Sequence, residues 1–358
     1  MGKKLYIPGP VEVSPDVFEA MSTPMIGHRM KEYAILHREV TTGLKTLLNT
    51  QSPVFLSTSS AFGVMEGAVR NLVQKRCANF GNGAFSSKWN DVTRRCGLEA
   101  DLFSAEWGQP ITPEMVDGAL ATGKYDAMTI VHNETSTGVL NPLEEIAGVM
   151  KKYPEVSFIV DTVSSMSAVA IDVEALGTDV CLAGVQKAFG LPPGLVVFAV
   201  SPKALEKAKT TPNRGYYFDF EEFAANDLKD NTPSTPCISL IFGLAHQLRK
   251  FFAEGLNNRY ARHRQMAEMT RQWILDRGFG LFAADGYRSL TLTSGANDGR
   301  TDLEKLKKLA GERGYAIDNG YGKIKNQTFR IPHMADMTPA DLTELFALLE
   351  ELLPRVRG

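Results

Sequence analysis

Short apolar runs alternate with helical patterns between about residues 54 and 200 of this chain. The apolar runs are Val54–Leu56, Arg76–Phe80, Ala127–Val131, Ser157–Val160, Val180–Leu182 and Leu195–Val200. Amphipathic stretches, such as Gly63–Val73 and Leu143–Lys152, lie between them. Because the buried strands of a parallel sheet read as continuous apolar runs separated by helices, this pattern predicts a three-layer α/β/α domain with a mostly parallel sheet.

The pattern changes towards the C-terminus. A more charged helical stretch covers Leu244–Arg271, and two strand-like runs, Arg288–Thr293 and Thr328–Ile331, flank a helical stretch at Asp302–Glu312. We therefore predict an N-terminal segment over residues 1–14, a large domain over 15–253 and a smaller C-terminal α+β domain over 254–358.

Several helix starts share one chemistry, a capping hydroxyl followed by proline. The pairs are Ser14-Pro15, Thr112-Pro113, Ser201-Pro202 and Thr338-Pro339. A proline at the first helical position loses nothing, because its missing N–H would have no partner there. Thr338 with Asp341 resembles a capping box and predicts a final helix over Pro339–Leu353.

Composition narrows the class of protein. The 358 residues are 44% hydrophobic and 22% charged with a formal net charge of -2, so a globular protein is expected and nucleic acid is a poor candidate partner. The four cysteines lack CxxC or metal-ligand spacing, and we expect reduced thiols and no metal site. Neither a signal peptide nor a membrane-spanning run is recognisable, so a cytoplasmic enzyme is expected.

Lys187 ends an apolar stretch that begins at Val180, and a turn containing Gly190 and Pro192-Pro193-Gly194 follows. A lysine in this position is desolvated, which lowers its pKa and suits Schiff-base chemistry. Asp161 likewise ends the run Phe158–Val160, and a carboxylate at the carboxyl end of a strand can pair with a pyridinium nitrogen. Taken singly, each residue has a structural alternative: Lys187 could be a surface lysine, and Asp161 could cap a helix.

Three further clusters follow predicted strands. Ser57–Gly63 opens a helix with small hydroxyl residues, as an anion site does. Phe85 follows the turn at Asn82-Gly83 and could stack on an aromatic ring. The run His132–Val139 brings polar density to another strand end. Each cluster also has a purely structural alternative. Ser57–Gly63 could be a simple helix cap, Phe85 a core residue and His132–Val139 a solvated loop.

These residues together resemble the class V, fold-type I pyridoxal 5′-phosphate (PLP) enzymes, and more closely the alanine–glyoxylate and serine–pyruvate aminotransferases. The resemblance runs from Pro8-Gly9-Pro10 to Phe329-Arg330-Ile331. Its most specific pieces are Gln186-Lys187 followed by Pro-Pro-Gly, Asp161 in Val-Asp-Thr-Val-Ser-Ser, and Glu134–Val139.

The resemblance implies a role for each matching position. Lys187 would carry PLP as a Schiff base and shuttle the proton at the substrate α-carbon, and Asp161 would hold the ring nitrogen protonated. Arg330 would clamp the substrate carboxylate, and Gly9 would line the same substrate site. The remaining cofactor contacts would come from Val163 and Phe85 on the two ring faces, Thr135 and Gln186 near the 3-hydroxyl, and Ser60, Ala61 and Phe62 at the phosphate.

Two segments depart from the alanine–glyoxylate pattern. Ala61 and Phe62 stand where those enzymes typically have Gly and His, and the loop with Asn231 and Thr232 looks like that of phosphoserine aminotransferases. His28 and Arg29 also lie in a segment similar to a substrate-binding one of that second group. The resemblance implies a homodimer in which Asn231 and Thr232 reach the partner's phosphate site.

Two substrate classes therefore stay open. The preferred one is a small L-amino acid, alanine or serine, with glyoxylate or pyruvate as acceptor. The alternative is that of a phosphoserine aminotransferase, which acts on phosphohydroxypyruvate and glutamate. A cysteine desulfurase would need a late nucleophilic cysteine, yet none follows Cys237. A non-catalytic subunit of the same fold would tolerate loss of Lys187 or Asp161, and both are present.

Overall fold

A computed structural model describes residues 2–358 of the chain. In order, its strands are β1 (Lys4–Tyr6), β2 (Val54–Ser57), β3 (Cys77–Gly81), β4 (Ala100–Ser104), β5 (Ala127–Val131), β6 (Asn133–Glu134), β7 (Val139–Leu140), β8 (Ser157–Asp161), β9 (Val180–Gly184), β10 (Val196–Val200), β11 (Gly280–Leu281), β12 (Leu292–Ala296), β13 (Tyr315–Ile317) and β14 (Thr328–Pro332).

Most of the α-helices connect these strands. They are α1 (Pro15–Met21), α2 (Lys31–Leu47), α3 (Ala61–Leu72), α4 (Ala84–Arg95), α5 (Pro113–Leu120), α6 (Leu143–Met150), α7 (Val173–Leu176), α8 (Pro202–Thr210), α9 (Phe220–Asp227), α10 (Ile238–Glu254), α11 (Leu256–Asp276), α12 (Leu303–Glu312) and α13 (Pro339–Leu352).

The large sheet has seven strands in the order β2-β10-β9-β8-β5-β3-β4. Five neighbouring strands, from β9 to β4, pair in parallel, and β10 runs antiparallel to both β9 and β2. The predicted mixed α/β fold with a mostly parallel sheet is therefore confirmed. Since parallel strands end on the same side, the sheet brings the residues that follow β5, β8 and β9 together at one edge.

Alternation along the strands explains the layers. In β8, Phe158 and Val160 pack into one apolar cluster with α2, α5, α6 and α10, whereas Ile159 packs into a second cluster with α3, α4, α8 and α9. Side chains of a strand alternate between its two faces, so a sheet strand that is apolar throughout must be covered on both. The result is a sheet enclosed between two helical layers.

A third apolar cluster belongs to the C-terminal part of the chain. It joins α11, α12 and α13 to the antiparallel sheet β11-β12-β14, and it includes Tyr6 from the N-terminal strand. β1 pairs in parallel with β13, so the N-terminal strand joins this C-terminal part of the chain. Gly255, with φ +82°, separates α10 from α11 beside the predicted domain boundary, which stays a prediction.

The helix-start predictions had mixed outcomes. Thr112, Ser201 and Thr338 each accept a backbone N–H in the first turn of their helix, and Thr338 forms the predicted capping box with Asp341. Ser14 makes no capping hydrogen bond; instead its hydroxyl donates to Asp336 at 2.9 Å. The Ser14 oxygen accepts from Lys250 Nζ at 3.3 Å rather than from the helix backbone.

Two boundary predictions were wrong. The stretch Leu244–Arg271 is interrupted, because Gly255 adopts a left-handed φ that ends one helix before the next begins. The strand expected from Arg288 starts only at Leu292, because the Ser289 hydroxyl accepts the backbone N–H groups of Thr291 and Leu292 and bends the chain there. Among the helices of residues 2–358, none combines the length and apolar character that a membrane crossing requires.

Candidate active site

Lys187 lies in the connection that follows β9. Its carbonyl accepts the N–H of Gly190, which turns the chain with φ +70°. The side chain is 9% exposed, and its Nζ donates to Thr135 Oγ1 at 3.3 Å. Burial, followed by the nearby Arg330 charge, lowers the pKa of Lys187 to about 7.

The Lys187 amine opens onto a cavity of about 440 Å³. Gly9, Phe85, Thr135 and Arg330 line the same cavity, so five residues predicted from separate parts of the chain meet in one place. A Cβ atom at Gly9 would lie 3.0 Å from Lys187 Cε, and φ at Gly9 is +129°; only glycine suits this position. The volume falls within the usual range for small-molecule sites.

Asp161 ends β8, the strand next to β9, and is fully buried. Its Oδ1 accepts the Val163 N–H at 2.9 Å, and its Oδ2 accepts the indole N–H of Trp89 at 3.2 Å. Burial raises the pKa of Asp161 to about 6, against the lowering effect of these two donors. Trp89 was missed in the sequence, although it follows Phe85 by one helical turn and could have been found by that spacing.

Thr135 connects the lysine to the arginine. Its hydroxyl lies 3.3 Å from Lys187 Nζ and 2.5 Å from Ser164 Oγ, and its carbonyl accepts Nη1–H of Arg330 at 3.0 Å. Thr135, which was predicted as a site residue, therefore fixes the spacing between the Lys187 amine and the Arg330 guanidinium.

Arg330, on β14, is 6% exposed and forms a two-pronged ion pair with Asp318. The Nε and Nη2 atoms each lie 2.7 Å from an Asp318 oxygen. Asp318 was not predicted as a site residue, since nothing local marks it; it faces Arg330 only once β13 and β14 are in place. The pair fixes the guanidinium plane against the cavity wall.

Glu134 positions Phe85. The Glu134 carboxylate, fully buried, accepts the backbone N–H of Ser86 at 2.7 Å and that of Phe85 at 3.4 Å, at the N-terminus of α4. A Cβ atom at Gly83 would lie 2.3 Å from Glu134 Cγ, so only glycine at this position leaves room for the Glu134 side chain. The N-terminal end of a helix favours a carboxylate, which accounts for an acid here without a cationic partner.

The predicted phosphate contacts lie at the start of α3. Ser60 is the N-cap with extended backbone, and Ala61 and Phe62 follow it with N–H groups that have no acceptor within the helix. Ser60 is exposed and Phe62 is 37% exposed. The backbone carbonyl of Gln186 accepts the Val11 N–H at 3.1 Å, and the role predicted for the Gln186 side chain near the 3-hydroxyl stays a prediction.

The remaining predicted residues lie apart from the Lys187 cavity of their own chain. Val163 packs against the second core cluster, and its N–H is the one that Asp161 accepts. Thr232 lines a separate concavity next to Ser57 and Thr58. Asn231 accepts the Thr232 N–H, His28 is half-buried and Arg29 is exposed in a turn. The roles predicted for these residues stay predictions.

Residues 18–321 match the family described as Aminotransferase class-V. An uncharacterized aminotransferase of Methanocaldococcus jannaschii is 35% identical over 97% of this chain and 92% of its own. The soluble hydrogenase small subunit of a Synechococcus species is 34% identical over 98% of this chain and 92% of its own.

Similarity also extends to proteins with a named amino-transfer reaction. The serine–glyoxylate aminotransferase of Arabidopsis thaliana is 31% identical over 98% of this chain and 90% of its own. The crystal structure of an alanine–glyoxylate aminotransferase from a Nostoc species superposes with a TM-score of 0.93 at 26% identity, covering 99% of this chain and 96% of that one.

The depressed pKa of Lys187 predicts a pH-dependent cost of folding. The ordinary lysine value is 10.5 and the folded value is about 7, so between these pH values the unfolded chain binds one proton more and stability rises with pH. With both proteins free of cofactor, we expect the unfolding free energy of Lys187→Met at pH 6 to exceed that of the wild type by ~2–5 kcal/mol. The difference should shrink from pH 7 to 10, as measured by urea unfolding.

Lys308→Met, at an exposed helix position, is the control and should show a difference from wild type that does not change over this pH range. A constant difference for Lys187→Met from pH 6 to 10 would mean that the folded protein keeps this lysine charged.

Proposed function

The chain belongs to the class-V aminotransferases, PLP-dependent transaminases, and we propose that it moves an amino group from L-alanine or L-serine to glyoxylate or pyruvate. The observation that carries the proposal is the buried Lys187 amine, with a pKa near 7, on a cavity that also holds the Arg330 guanidinium. An amine and a carboxylate-binding group at a shared cavity are what an α-amino acid requires.

The residues present fit PLP. Gly9 leaves room beside the Lys187 side chain that a Cβ would fill, and the Phe85 ring centroid lies 5.7 Å from Lys187 Nζ. Asp161 is a buried carboxylate whose hydrogen bonds come from neutral donors, so a cationic ring nitrogen would supply the charge partner that its burial demands.

We assign the cofactor contacts accordingly. Lys187 would hold the cofactor covalently, Asp161 would pair with its ring nitrogen, and Phe85 and Val163 would contact its ring. Thr135 and Gln186 would lie on the 3-hydroxyl side, while the phosphate would meet the N–H groups of Ser60, Ala61 and Phe62 at the positive end of α3. When bound, PLP supplies an electron-withdrawing ring that stabilises negative charge at the substrate α-carbon.

The chain's own groups then transfer the α-proton and bind the substrate. Lys187 Nζ removes the α-proton and returns it, a task for which a pKa near the working pH is best. Thr135 Oγ1, by its hydrogen bond, orients that amine. Arg330 binds the α-carboxylate through its two remaining N–H groups, because a guanidinium has five donors, of which Asp318 takes two and the Thr135 carbonyl one.

A small neutral donor is favoured by the apolar part of the cavity wall. Ile7, Pro8 and Phe85 line it, so a charged substrate side chain there would lose water without gaining a partner of opposite charge. The similarity to serine–glyoxylate and alanine–glyoxylate aminotransferases supports the same substrate class.

One observation favours the second candidate, phosphoserine. Lys3 and Lys307 line the outer part of the cavity, and a second anionic group would meet positive charge there. Arg29→Ala separates the candidates: a loss confined to phosphoserine would support this alternative, whereas equal effects on phosphoserine and alanine would leave the preference for alanine and serine standing.

The test of the proposed reaction is a panel of half-reactions. Purified holoenzyme is mixed in turn with L-alanine, L-serine, L-glutamate, L-aspartate and phosphoserine while cofactor absorbance is followed. We expect alanine or serine to react fastest. Lys187→Ala should still bind the cofactor and should lose at least ~10³-fold in rate with every donor, because the proton carrier is gone. Undiminished turnover in Lys187→Ala would refute the assignment.

We also propose that the active unit is a homodimer with composite sites. Large apolar side chains are exposed on α2 and the segments near it: Met25, Met30 and Ile35 are 68%, 51% and 57% exposed. Leu228, before the Asn231-Thr232 loop, is 88% exposed. Apolar exposure of this extent is typical of a surface that a second copy covers.

Mixing two inactive variants tests the composite site. When Lys187→Ala is unfolded and refolded with Asn231→Ala/Thr232→Ala, both lesions fall in one site of the heterodimer and the other site is intact. We expect roughly a quarter of wild-type activity after random pairing. Lys187→Ala mixed with Asp161→Ala is the control and should stay inactive, since each lesion disables its own chain's site. Equal inactivity of both mixtures would contradict the shared site.

A further inference from the structure

Tyr321 occupies the connection between β13 and β14, on the wall of the Lys187 cavity. Glycines with left-handed φ values flank it, Gly320 at +87° and Gly322 at +59°. A Cβ at Gly320 would lie 2.6 Å from the Thr328 carbonyl oxygen, so the chain can make this turn only with glycine there.

The Tyr321 ring contacts two residues of the site. It stacks on Phe85 with ring centroids 5.1 Å apart and planes 22° from parallel. Its centroid lies 5.5 Å from the Arg330 guanidinium carbon. Tyr321 is nevertheless 44% exposed, so part of its surface remains bare. The ring therefore spans the distance between the residue assigned to the cofactor ring and the residue assigned to the substrate carboxylate.

The turn that carries Tyr321 is braced on both sides. Asn319 and Asn326 close it through a backbone hydrogen bond of 2.8 Å and a side-chain hydrogen bond of 2.6 Å. Beyond Tyr321, Lys323 Nζ lies 4.5 Å from the centre of the Trp107 ring. These contacts hold the backbone that carries Tyr321, so moving the ring aside would break the ring's own contacts with Phe85 and Arg330.

We infer that Tyr321 caps the subsite for the substrate side chain and restricts it to small groups. The inference rests on the proposed function: once the carboxylate is on Arg330 and the amine is at Lys187, the remaining substituent of the α-carbon must lie along the wall that Tyr321 shares with Phe85. A branched or aromatic side chain there would have to displace the ring from both contacts.

The experiment compares Tyr321→Ala with wild-type holoenzyme, using L-alanine and L-leucine as donors. We expect the ratio of kcat/KM for leucine to that for alanine to rise by ~10-fold or more, since a missing wall admits the added methylenes. Tyr321→Phe, which keeps the ring, should keep the wild-type ratio. An unchanged ratio in Tyr321→Ala would overturn the inference.

A binding measurement accompanies the rates. Inhibition by the unreactive acids propionate and 4-methylpentanoate should shift in Tyr321→Ala in favour of the larger acid, by a similar factor. If wild-type enzyme reacts with no donor of any size, the proposed function fails, whereas reaction with an unchanged size ratio is a failure of the inference alone. Should Tyr321→Ala fail to fold, Tyr321→Leu replaces it in both comparisons.

Discussion

The desolvation of the Lys187 amine is the constraint on which the site depends. A charged ammonium at the end of a buried strand is unfavourable, and the structure offers it the Thr135 hydroxyl rather than a carboxylate in contact. Arg330 adds a like charge to the same cavity. Both effects favour the neutral amine near pH 7, which is the form able to act as a nucleophile and base.

The surrounding residues keep these groups at fixed spacing. Thr135 bonds to both Lys187 and Arg330, and Asp318 holds the far edge of the guanidinium. On the other side, Trp89 and the Val163 amide fix the Asp161 carboxylate. Since buried groups with shifted pKa values destabilise the cofactor-free protein, binding a cofactor that pairs with them returns part of that stability.

The sequence predicted those site residues that short-range patterns mark. Lys187 and Asp161 each end an apolar run, and the carboxyl ends of parallel strands meet at one edge of the sheet, so their proximity followed from the strand pattern. Asp318 and Tyr321 could not be found in this way, because they reach the cavity through the packing of β13 and β14 rather than through a local signal. The sequence predicted a helix-capping role for the Ser14 hydroxyl. Its bond to Asp336 could not be predicted, because that residue is distant in sequence.

The residues whose roles the resemblance implies lie in two different places. Asn231, Thr232, His28 and Arg29 lie outside the Lys187 cavity of their own chain, and the roles proposed for Asn231 and Thr232 depend on a second subunit. By contrast, Gly9, Phe85, Thr135 and Arg330 line that cavity directly. The chemistry proposed for this protein therefore depends first on the lysine, and only then on the partner.

Reductive trapping tests the central claim most directly. Holoenzyme is treated with borohydride, digested, and the peptides are analysed by mass spectrometry. The account predicts that the cofactor mass is found on the peptide containing Lys187 and is absent from it in Lys187→Ala. Stable attachment to another lysine, such as Lys307 at the cavity mouth, or cofactor released unattached from the wild-type protein, would contradict it.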